Sequence, residues 1–246
     1  MRRFYRFVLI CHCMLIGALA QAEQLNVATS EWVPYVGKAL PNQGLAIDLV
    51  NTALQRAGYQ PVVTIDVWSR TLQGADVGVY DLIAAAWYSD ERNKKFAFSK
   101  PYLYNEIKFL KRADSDFEFN ALGDLEGKLI GVVDKYAYGE AFNNMRGVIR
   151  LPSQHVLENI LAVLNDKVDL TLDDERVLKY VMAKNIDADN RAKLVIVPKP
   201  LSKNGLYIAV SRQNPKHQEI VKAFDNAVQA MRKDGTYDRI LKAHSQ

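Results

Sequence analysis

Apolar and polar positions along the chain alternate with two different periods, and these periods predict strands and helices in turn. Residues 25–29 alternate with the period of a strand, and residues 44–57 place their apolar side chains on one face of a helix. The β-branched segment 61–67 predicts a second strand, and the segment 81–87, with its long apolar run, predicts a third. Ser69 is placed to cap a short helix between these two strands. The succession of strand, helix and strand predicts an α/β fold.

The same succession begins again after a polar stretch at residues 113–120. Asn214-Pro215 predicts the start of the last long helix, with asparagine as cap and proline in the first turn. Two such series predict two α/β lobes with a boundary near residues 111–124, and the pattern leaves open whether the last strand and helix return to the first lobe. The remaining predicted elements are strands at 104–110, 129–133, 168–172, 194–197 and 206–210, and helices from about 138, at 156–165, at 174–184 and from 236.

The first 22 residues have the three parts of a secretory signal peptide. Arginines at positions 2, 3 and 6 precede an apolar run at residues 7–19, and Ala20-Gln21-Ala22 forms the small-residue cleavage site. The apolar run is shorter than the ~20 residues of a membrane span. Cleavage after Ala22 would leave a soluble periplasmic protein that begins at Glu23. Both cysteines of the chain lie in the removed segment, so no disulfide is expected.

The charge balance of the mature chain excludes one class of partner. The whole chain has a formal net charge of +4, but three of its 32 basic residues lie in the signal segment, which leaves 29 basic against 28 acidic residues. Nucleic-acid-binding domains present a strongly basic and patterned surface. No nucleic-acid partner is therefore expected.

Arg92 is the first candidate for a binding residue. It lies in a polar turn directly after the predicted buried strand that ends at Trp87. Ligands of α/β sheets bind just beyond the carboxyl ends of the strands. A guanidinium group binds a carboxylate through two parallel hydrogen bonds. The alternative interpretation is a solvated charge in a surface turn.

Five segments of the chain together resemble one known family. The chain is similar to the periplasmic solute-binding proteins of family 3, the polar amino acid type that serves ABC importers. The resemblance covers essentially the whole mature sequence, and it depends on the order of the segments rather than on one fingerprint. They are LNVATSEWVPY at 25–35, residues 81–102, GKLIGVVDKYAYGEAF at 127–142, VDLTLDDE at 168–175 and residues 205–210.

The resemblance implies a particular version of the α/β fold, the type II periplasmic-binding fold. In this fold two lobes are joined by two crossing strands, and the ligand lies in the cleft between the lobes. The first lobe would be discontinuous and comprise residues 23–110 plus 205–246. The second lobe would comprise residues 111–204.

The resemblance also implies roles for charged groups and backbone amides. Arg92 matches the arginine that holds the α-carboxylate of the ligand. Tyr136 and Ala137 match residues that offer backbone N–H groups to the same carboxylate, and their position just before a predicted helix suits an anion. Asp174 matches the carboxylate that takes the α-ammonium group. The alternative for this acidic segment is helix capping, and both roles are compatible if Asp173 caps the helix while Asp174 reaches the cleft.

Aromatic residues would form the walls of the cleft. Trp32 matches an aromatic residue that stacks on the ligand, and Trp68 lies near a second aromatic wall. Tyr88 and Tyr136 are candidates for further members of an aromatic cage. The alternative for either tryptophan is a place in the core, although a cleft rim suits an indole N–H that needs a polar partner.

The segment 84–87 departs from the family pattern. Many relatives carry serine or threonine here, whereas this chain has three alanines followed by Trp87. Ala85 keeps its backbone N–H for the ligand, but the hydroxyl groups are missing and a large ring, Trp87, has been added. Thr29 stands where binders of basic amino acids can carry an acidic residue, which argues against a lysine or arginine ligand. The resemblance therefore implies a zwitterionic ligand, in the first place an amino acid, with related carboxylates as alternatives.

The expected function is capture of this ligand by cleft closure and its delivery to the membrane permease of an ABC importer. The protein is expected to act as a monomer, with no cofactor and no metal. One alternative is a periplasmic dehydratase-like enzyme in which Arg92 anchors a small carboxylated substrate and Asp174 or Glu175 acts as general acid or base. Against it, the sequence contains no independent catalytic motif, and its histidines are scattered. Another alternative is a free-standing sensor input protein of similar fold.

Overall fold

The computed structural model of the protein describes residues 22–244. The predicted signal peptide, residues 1–22, therefore lies outside the described residues except for Ala22. Among the helices within 22–244, none is both long enough and apolar enough to cross a membrane.

Within the described residues, ten strands form one sheet in the order β2-β1-β3-β10-β5-β8-β6-β7, with β4 paired to β10 and β9 paired to β5. The strands are β1 Glu23–Ser30, β2 Tyr59–Asp66, β3 Leu82–Trp87, β4 Phe96–Phe98, β5 Leu103–Arg112, β6 Leu129–Val133, β7 Ile149–Ser153, β8 Leu170–Asp174, β9 Leu194–Ile196 and β10 Ser202–Ser211. The helices are α1 Leu45–Arg56, α2 Trp68–Asp76, α3 Asp90–Asn93, α4 Glu140–Asn143, α5 Val156–Leu164, α6 Glu175–Asn185, α7 Ala188–Arg191, α8 His217–Lys233 and α9 Thr236–Ala243.

The sheet has a parallel group at each end and two antiparallel strands between them. β2, β1 and β3 run parallel, as do β7, β6 and β8. β10 pairs antiparallel with β3, where Leu206 faces Trp87, and it also pairs with β5, where Ser202 faces Ile107. β5 then pairs with β8, where Ile107 faces Asp174. The long strands β5 and β10 therefore connect the two parallel groups, and the last strand of the chain lies beside β3.

The apolar stripes predicted from the sequence form the core that holds this sheet. Burial of each large aliphatic or aromatic side chain stabilises the fold by about 1.5–3 kcal/mol. The buried stripe positions are Leu45, Leu49, Val50, Ala53 and Leu54 on α1, and Ile220, Phe224, Ala227 and Met231 on α8.

The start of α2 differs from the prediction. The N-cap is Val67 rather than Ser69, the helix begins at Trp68, and it continues to Asp76. The reason lies one residue earlier, because the carboxylate of Asp66 accepts the N–H of Val67 and fixes the turn from the strand into the helix. Trp68 therefore lies in the first turn of α2, just beyond the end of β2.

The structure differs from the sequence-based expectation at two other places, the start of α8 and the strand β7. α8 starts at His217 with Lys216 as N-cap, because the side chain of Asn214 accepts the Lys216 N–H and holds a turn that precedes the helix. β7 was not predicted, since Ile149 and Leu151 of this edge strand are exposed and its sequence lacks a strand-like alternation of buried positions. Pairing with β6, rather than burial, defines this strand.

Candidate functional site

Most of the predicted site residues line one cavity beside the carboxyl ends of β1 and β3. The cavity is small, with a volume of about 20 Å³, roughly enough for one water molecule. Of the predicted residues, Asp174, Ala137 and Tyr88 are not part of its wall. The wall consists of Thr29, Ser30, Trp32, Val36, Trp68, Ala85, Trp87, Arg92, Tyr136 and Leu206.

Arg92 is a buried cation with neutral partners. It lies on α3, where the hydroxyl of Ser89 accepts its backbone N–H and caps the helix (3.2 Å). Its Nη1 donates to the carbonyl oxygen of Trp87 (2.6 Å), and its Nη2 donates to the carbonyl oxygen of Lys135 (2.6 Å). The guanidinium also lies 5.0 Å from the ring centre of Trp68. Burial lowers the pKa of Arg92 to about 10, so it stays charged at neutral pH.

Four aromatic side chains surround the cavity, and we call Trp32, Trp68, Trp87 and Tyr136 the aromatic cluster. Their rings meet edge to face: Trp32 and Trp87 at 5.5 Å, Trp87 and Tyr136 at 5.4 Å, and Trp68 and Tyr136 at 5.9 Å. This is the arrangement that aromatic quadrupoles favour. Trp87 is anchored because its Nε1 donates to Oδ1 of Asn105 (3.0 Å). The cavity is therefore narrow and mostly apolar, with Arg92 as the cationic residue in its wall.

Asp174 caps α6 instead of lining this cavity. Its Oδ1 accepts the backbone N–H groups of Arg176 (2.8 Å) and Val177 (3.3 Å), and its Oδ2 accepts Nδ2 of Asn105 (3.1 Å). The expectation that Asp173 caps the helix is therefore wrong, because Asp174 is the cap. β8 ends at Asp174, whose extended backbone turns the chain into α6 and places its carboxylate over the first helical turn.

Asp173 is a buried carboxylate next to this cap, and it is not part of the cavity wall. Its side chain is fully buried, and its Oδ1 accepts the backbone N–H of Asp174 (2.7 Å) and Nε1 of Trp32 (3.1 Å). Its Oδ2 has no hydrogen-bond partner within residues 22–244. Burial raises the pKa of Asp173 to about 7. Successive side chains of a strand point to opposite faces of the sheet. This two-residue period was the sequence signal that only one of the two adjacent aspartates could face Trp32.

Tyr88 and Ala137 lie outside the cavity wall. Tyr88 is largely exposed, packs against Phe98 and Tyr207, and donates its hydroxyl to Asp90, so it does not join the aromatic cluster. Ala137 borders a separate opening on the other side of Arg92 and Tyr136. The backbone N–H of Tyr136, which the resemblance assigned to a ligand, donates to the carbonyl oxygen of Val133 (3.2 Å).

A wider space adjoins the cavity and shares Ser30, Trp32, Trp68 and Tyr136 with it. Charged and titratable side chains that are not part of the cavity wall border this space. They are Glu31, Lys38, Asp66 and His155.

Comparisons with known proteins agree with this architecture. The sequence profile of the bacterial extracellular solute-binding proteins, family 3, matches residues 25–246. The probable histidine-binding protein of Campylobacter jejuni is 26% identical over 208 residues, which cover 82% of this chain and 76% of that protein. The ABC transporter arginine-binding protein 1 of Escherichia coli K12 is 24% identical over 229 residues, 91% of each chain.

A solved structure shares the fold. An ancestral arginine-binding protein bound to arginine superposes with a TM-score of 0.76 at 23% identity, over 92% of this chain and 100% of that one. The fold is thus the type II periplasmic-binding fold. Because the family profile matches nearly the whole described chain, the protein belongs to the bacterial extracellular solute-binding proteins of family 3.

Proposed function

We propose that the protein binds a small zwitterionic ligand, an amino acid or a close relative, in the cavity of the aromatic cluster. The observation that carries the proposal is the state of Arg92. It is a buried cation at a strand end, and both of its Nη atoms are hydrogen-bonded to neutral carbonyl groups. A ligand carboxylate offers two oxygens to the same fork and adds a full opposite charge, which makes it a stronger partner than two carbonyl dipoles.

The rings around Arg92 suit the rest of such a ligand. Trp32, Trp68, Trp87 and Tyr136 supply apolar surface and exclude water, which strengthens the pairing of charges inside the cavity. Ala85 contributes a small side chain and leaves room beside the guanidinium. The adjoining wider space can take a longer ligand side chain. The ammonium group requires an anionic acceptor, and the chain offers one from the Asp173-Asp174 pair.

Cleft closure would couple binding to a change of shape. The lobes would be residues 23–110 plus 205–246 and residues 111–204, hinged at β5 and β10, since these strands connect the two parallel groups of the sheet. The hydrogen bond from Arg92 to Lys135 then joins the lobes, as does that from Trp32 to Asp173. A ligand that contacts both lobes shifts the population toward the closed form by its differential affinity.

The closed, liganded form would be the species delivered to the membrane permease of an ABC importer. Relatives named as histidine-binding and arginine-binding proteins support this role. The same role places the mature protein in the periplasm as a monomer, after cleavage of the signal segment at Ala22. Backbone amides near Tyr136 and Ala137 remain candidates for contacts with the carboxylate in the liganded form.

A ligand screen tests the proposal. The mature protein, residues 23–246, is mixed with each standard L-amino acid and with a set of small carboxylates, and its thermal midpoint is measured. A ligand at 100 times its Kd stabilises the folded state by about 2.7 kcal/mol, so at least one amino acid should raise the midpoint clearly. Absence of any rise across the amino acids would contradict the proposal. Chemical turnover of a bound carboxylate, detected after long incubation, would identify a dehydratase-like enzyme instead.

A further inference from the structure

The cavity beside Arg92 and the wider space next to it differ greatly in volume. The cavity has a volume of about 20 Å³, whereas the wider space has a volume of about 400 Å³. Pockets that hold small-molecule ligands typically measure about 300 to 1,000 Å³. The two spaces share the wall residues Ser30, Trp32, Trp68 and Tyr136. A ligand whose carboxylate reaches Arg92 would therefore place its side chain in the wider space.

Aliphatic side chains line one side of the wider space. Ile65 and Val67 lie two residues apart where β2 leads into α2, so their side chains point in the same direction. Val33, in the segment that follows β1, is the third aliphatic residue of this side. All three are half-buried, so each keeps some apolar surface that a ligand could cover.

Two helices supply aliphatic side chains on the opposite side. Val177 and Val181 lie one turn apart on α6, so they face the space together. Val156 and Leu157 form the start of α5 and are half-buried. We call the seven aliphatic residues of both sides the aliphatic wall. A side chain that entered between the two sides would have apolar neighbours on both of its faces.

The charged groups of the wider space do not favour a ligand side chain of either sign. Glu31 and Asp66 are acidic, whereas Lys38 and His155 are basic, and none of the four is buried. The carboxylate of Asp66 also accepts the backbone N–H of Val67 (2.7 Å). Charges in contact with water are screened and contribute little to the binding of an opposite charge. Apolar contact is therefore the main interaction that this space offers.

We infer that the ligand is an amino acid with a large apolar side chain, aliphatic or aromatic, which the aliphatic wall covers. The inference rests on the proposed function and names the substrate class of that same site. Apolar surface that leaves water for the wall contributes to affinity in proportion to its area. An amide or a charged side chain in the same place would lose its water and gain mainly aliphatic neighbours, which is unfavourable.

A series of ligands tests the inference on the unchanged mature protein, residues 23–246. Calorimetry is run with L-α-aminobutyrate, L-norvaline and L-norleucine, whose side chains lengthen by one methylene at each step. Each added methylene should tighten binding by about fourfold. L-Leucine and L-asparagine have side chains of the same shape, and leucine should bind at least about tenfold more tightly.

Two variants of α5 test whether the aliphatic wall is the surface that binds. Leu157→Asn replaces a wall residue by a polar group of the same shape and should weaken the binding of L-norleucine by about fivefold. Leu161→Asn is the matched control, because Leu161 lies one turn further along the same helix, is 40% exposed and is not part of the wall. It should leave the affinity for L-norleucine within about twofold. The thermal midpoint of each variant without ligand shows whether it is folded.

The possible results separate this inference from the proposed function. If a polar or charged amino acid bound more tightly than every apolar one, the inference would be overturned and the proposed function would stand. If the wild type bound no L-amino acid, both would be overturned. Equal affinities of Leu157→Asn and Leu161→Asn for L-norleucine would also overturn the inference. The ligand series does not depend on the folding of a variant, and equal affinity for leucine and asparagine would contradict the inference by itself.

Discussion

Arg92 and Asp173 are two buried charges of opposite sign, and the protein satisfies them to different degrees. Two carbonyl groups bond the Nη atoms of Arg92, and the ring of Trp68 lies against its guanidinium. Asp173 has an aromatic environment too, but one of its oxygens is unpaired within residues 22–244. Arg92 is therefore charged at neutral pH, and both of its Nη atoms are hydrogen-bonded. Asp173 is less well satisfied, and burial raises its pKa to about 7.

Under the proposed function, a ligand carboxylate at Arg92 would displace carbonyl dipoles, and the gain would come from replacing a dipole by a charge. A donor that reached the Asp173-Asp174 pair would supply the partner that Oδ2 of Asp173 lacks among the described residues.

Arg92→Ala should have the largest effect on binding. The change removes the cation that pairs with the carboxylate, so affinity for any amino acid that the wild type binds should fall by a factor of at least about 30 and up to several thousand. Calorimetry on the mature protein provides the measurement. Arg92→Lys is the matched control: it keeps the charge without the fork and should retain part of the affinity. Binding of Arg92→Ala within about threefold of wild type would refute the assigned role.

Trp87→Ala should destabilise the protein more than any other change in the aromatic cluster. A large buried ring that contacts Trp32, Tyr136 and Tyr138 is lost, and such truncations cost about 3–5 kcal/mol. Denaturant unfolding measures the free energy. Trp87→Phe keeps most of the ring contacts but loses the bond to Asn105, which should cost about 1 kcal/mol. Equal losses in the two variants would mean that the indole N–H, not the ring packing, anchors this residue.

The unliganded protein should become less stable as the pH rises from 5 to 8. The folded state raises the pKa of Asp173 to about 7, so over this range the folded state binds more protons than the unfolded state. The resulting loss should be on the order of 2 kcal/mol, complete once the pH exceeds the folded pKa. Thermal or denaturant unfolding of the wild type and Asp173→Asn measures it. Asp173→Asn should lack this part of the decline in stability. Parallel profiles of stability against pH for the wild type and the variant would contradict the raised pKa of Asp173.

Asp174→Ala should produce the smallest of these effects if Asp174 is primarily a cap. Loss of a helix N-cap costs about 1 kcal/mol, whereas Asp174→Asn should change the free energy of unfolding by only a few tenths of that amount. Denaturant unfolding of the two variants separates capping from charge. A larger loss in the asparagine variant than in the alanine variant would show that the negative charge, and not the cap, is what the fold needs.

The position of Arg92 near a ligand site could be predicted from the sequence for a physical reason. A long apolar run predicts a strand, strand ends mark ligand positions, and Arg92 follows within five residues of Trp87. Trp32 and Trp68 were assigned to the cleft by the resemblance to the family, since the sequence pattern alone left a place in the core open for both. Short elements were harder: α3 and α4 span four residues each, too few for a helical period, and β7 is an exposed edge strand without alternation.

Which of the two aspartates, Asp173 or Asp174, caps α6 depends on the residue at which β8 ends. The sequence predicted a strand to Leu172 followed by a helix, which left both aspartates available as caps. The strand in fact continues to Asp174, so Asp173 is a strand residue facing Trp32 and Asp174 becomes the cap. Strand ends are the least certain feature of a sequence-based prediction, and a shift of one position exchanges the faces of neighbouring side chains.

A crystal structure of the mature protein with the L-amino acid that raises its thermal midpoint most would test the proposed binding site directly. The cleft is expected to be closed, with the ligand carboxylate within hydrogen-bond distance of the Nη atoms of Arg92. The ammonium group should lie within hydrogen-bond distance of a carboxylate of the Asp173-Asp174 pair, and the bonds from Arg92 to Lys135 and from Trp32 to Asp173 should be broken or shared. A ligand bound elsewhere, with both of these bonds intact, would contradict the proposed binding site.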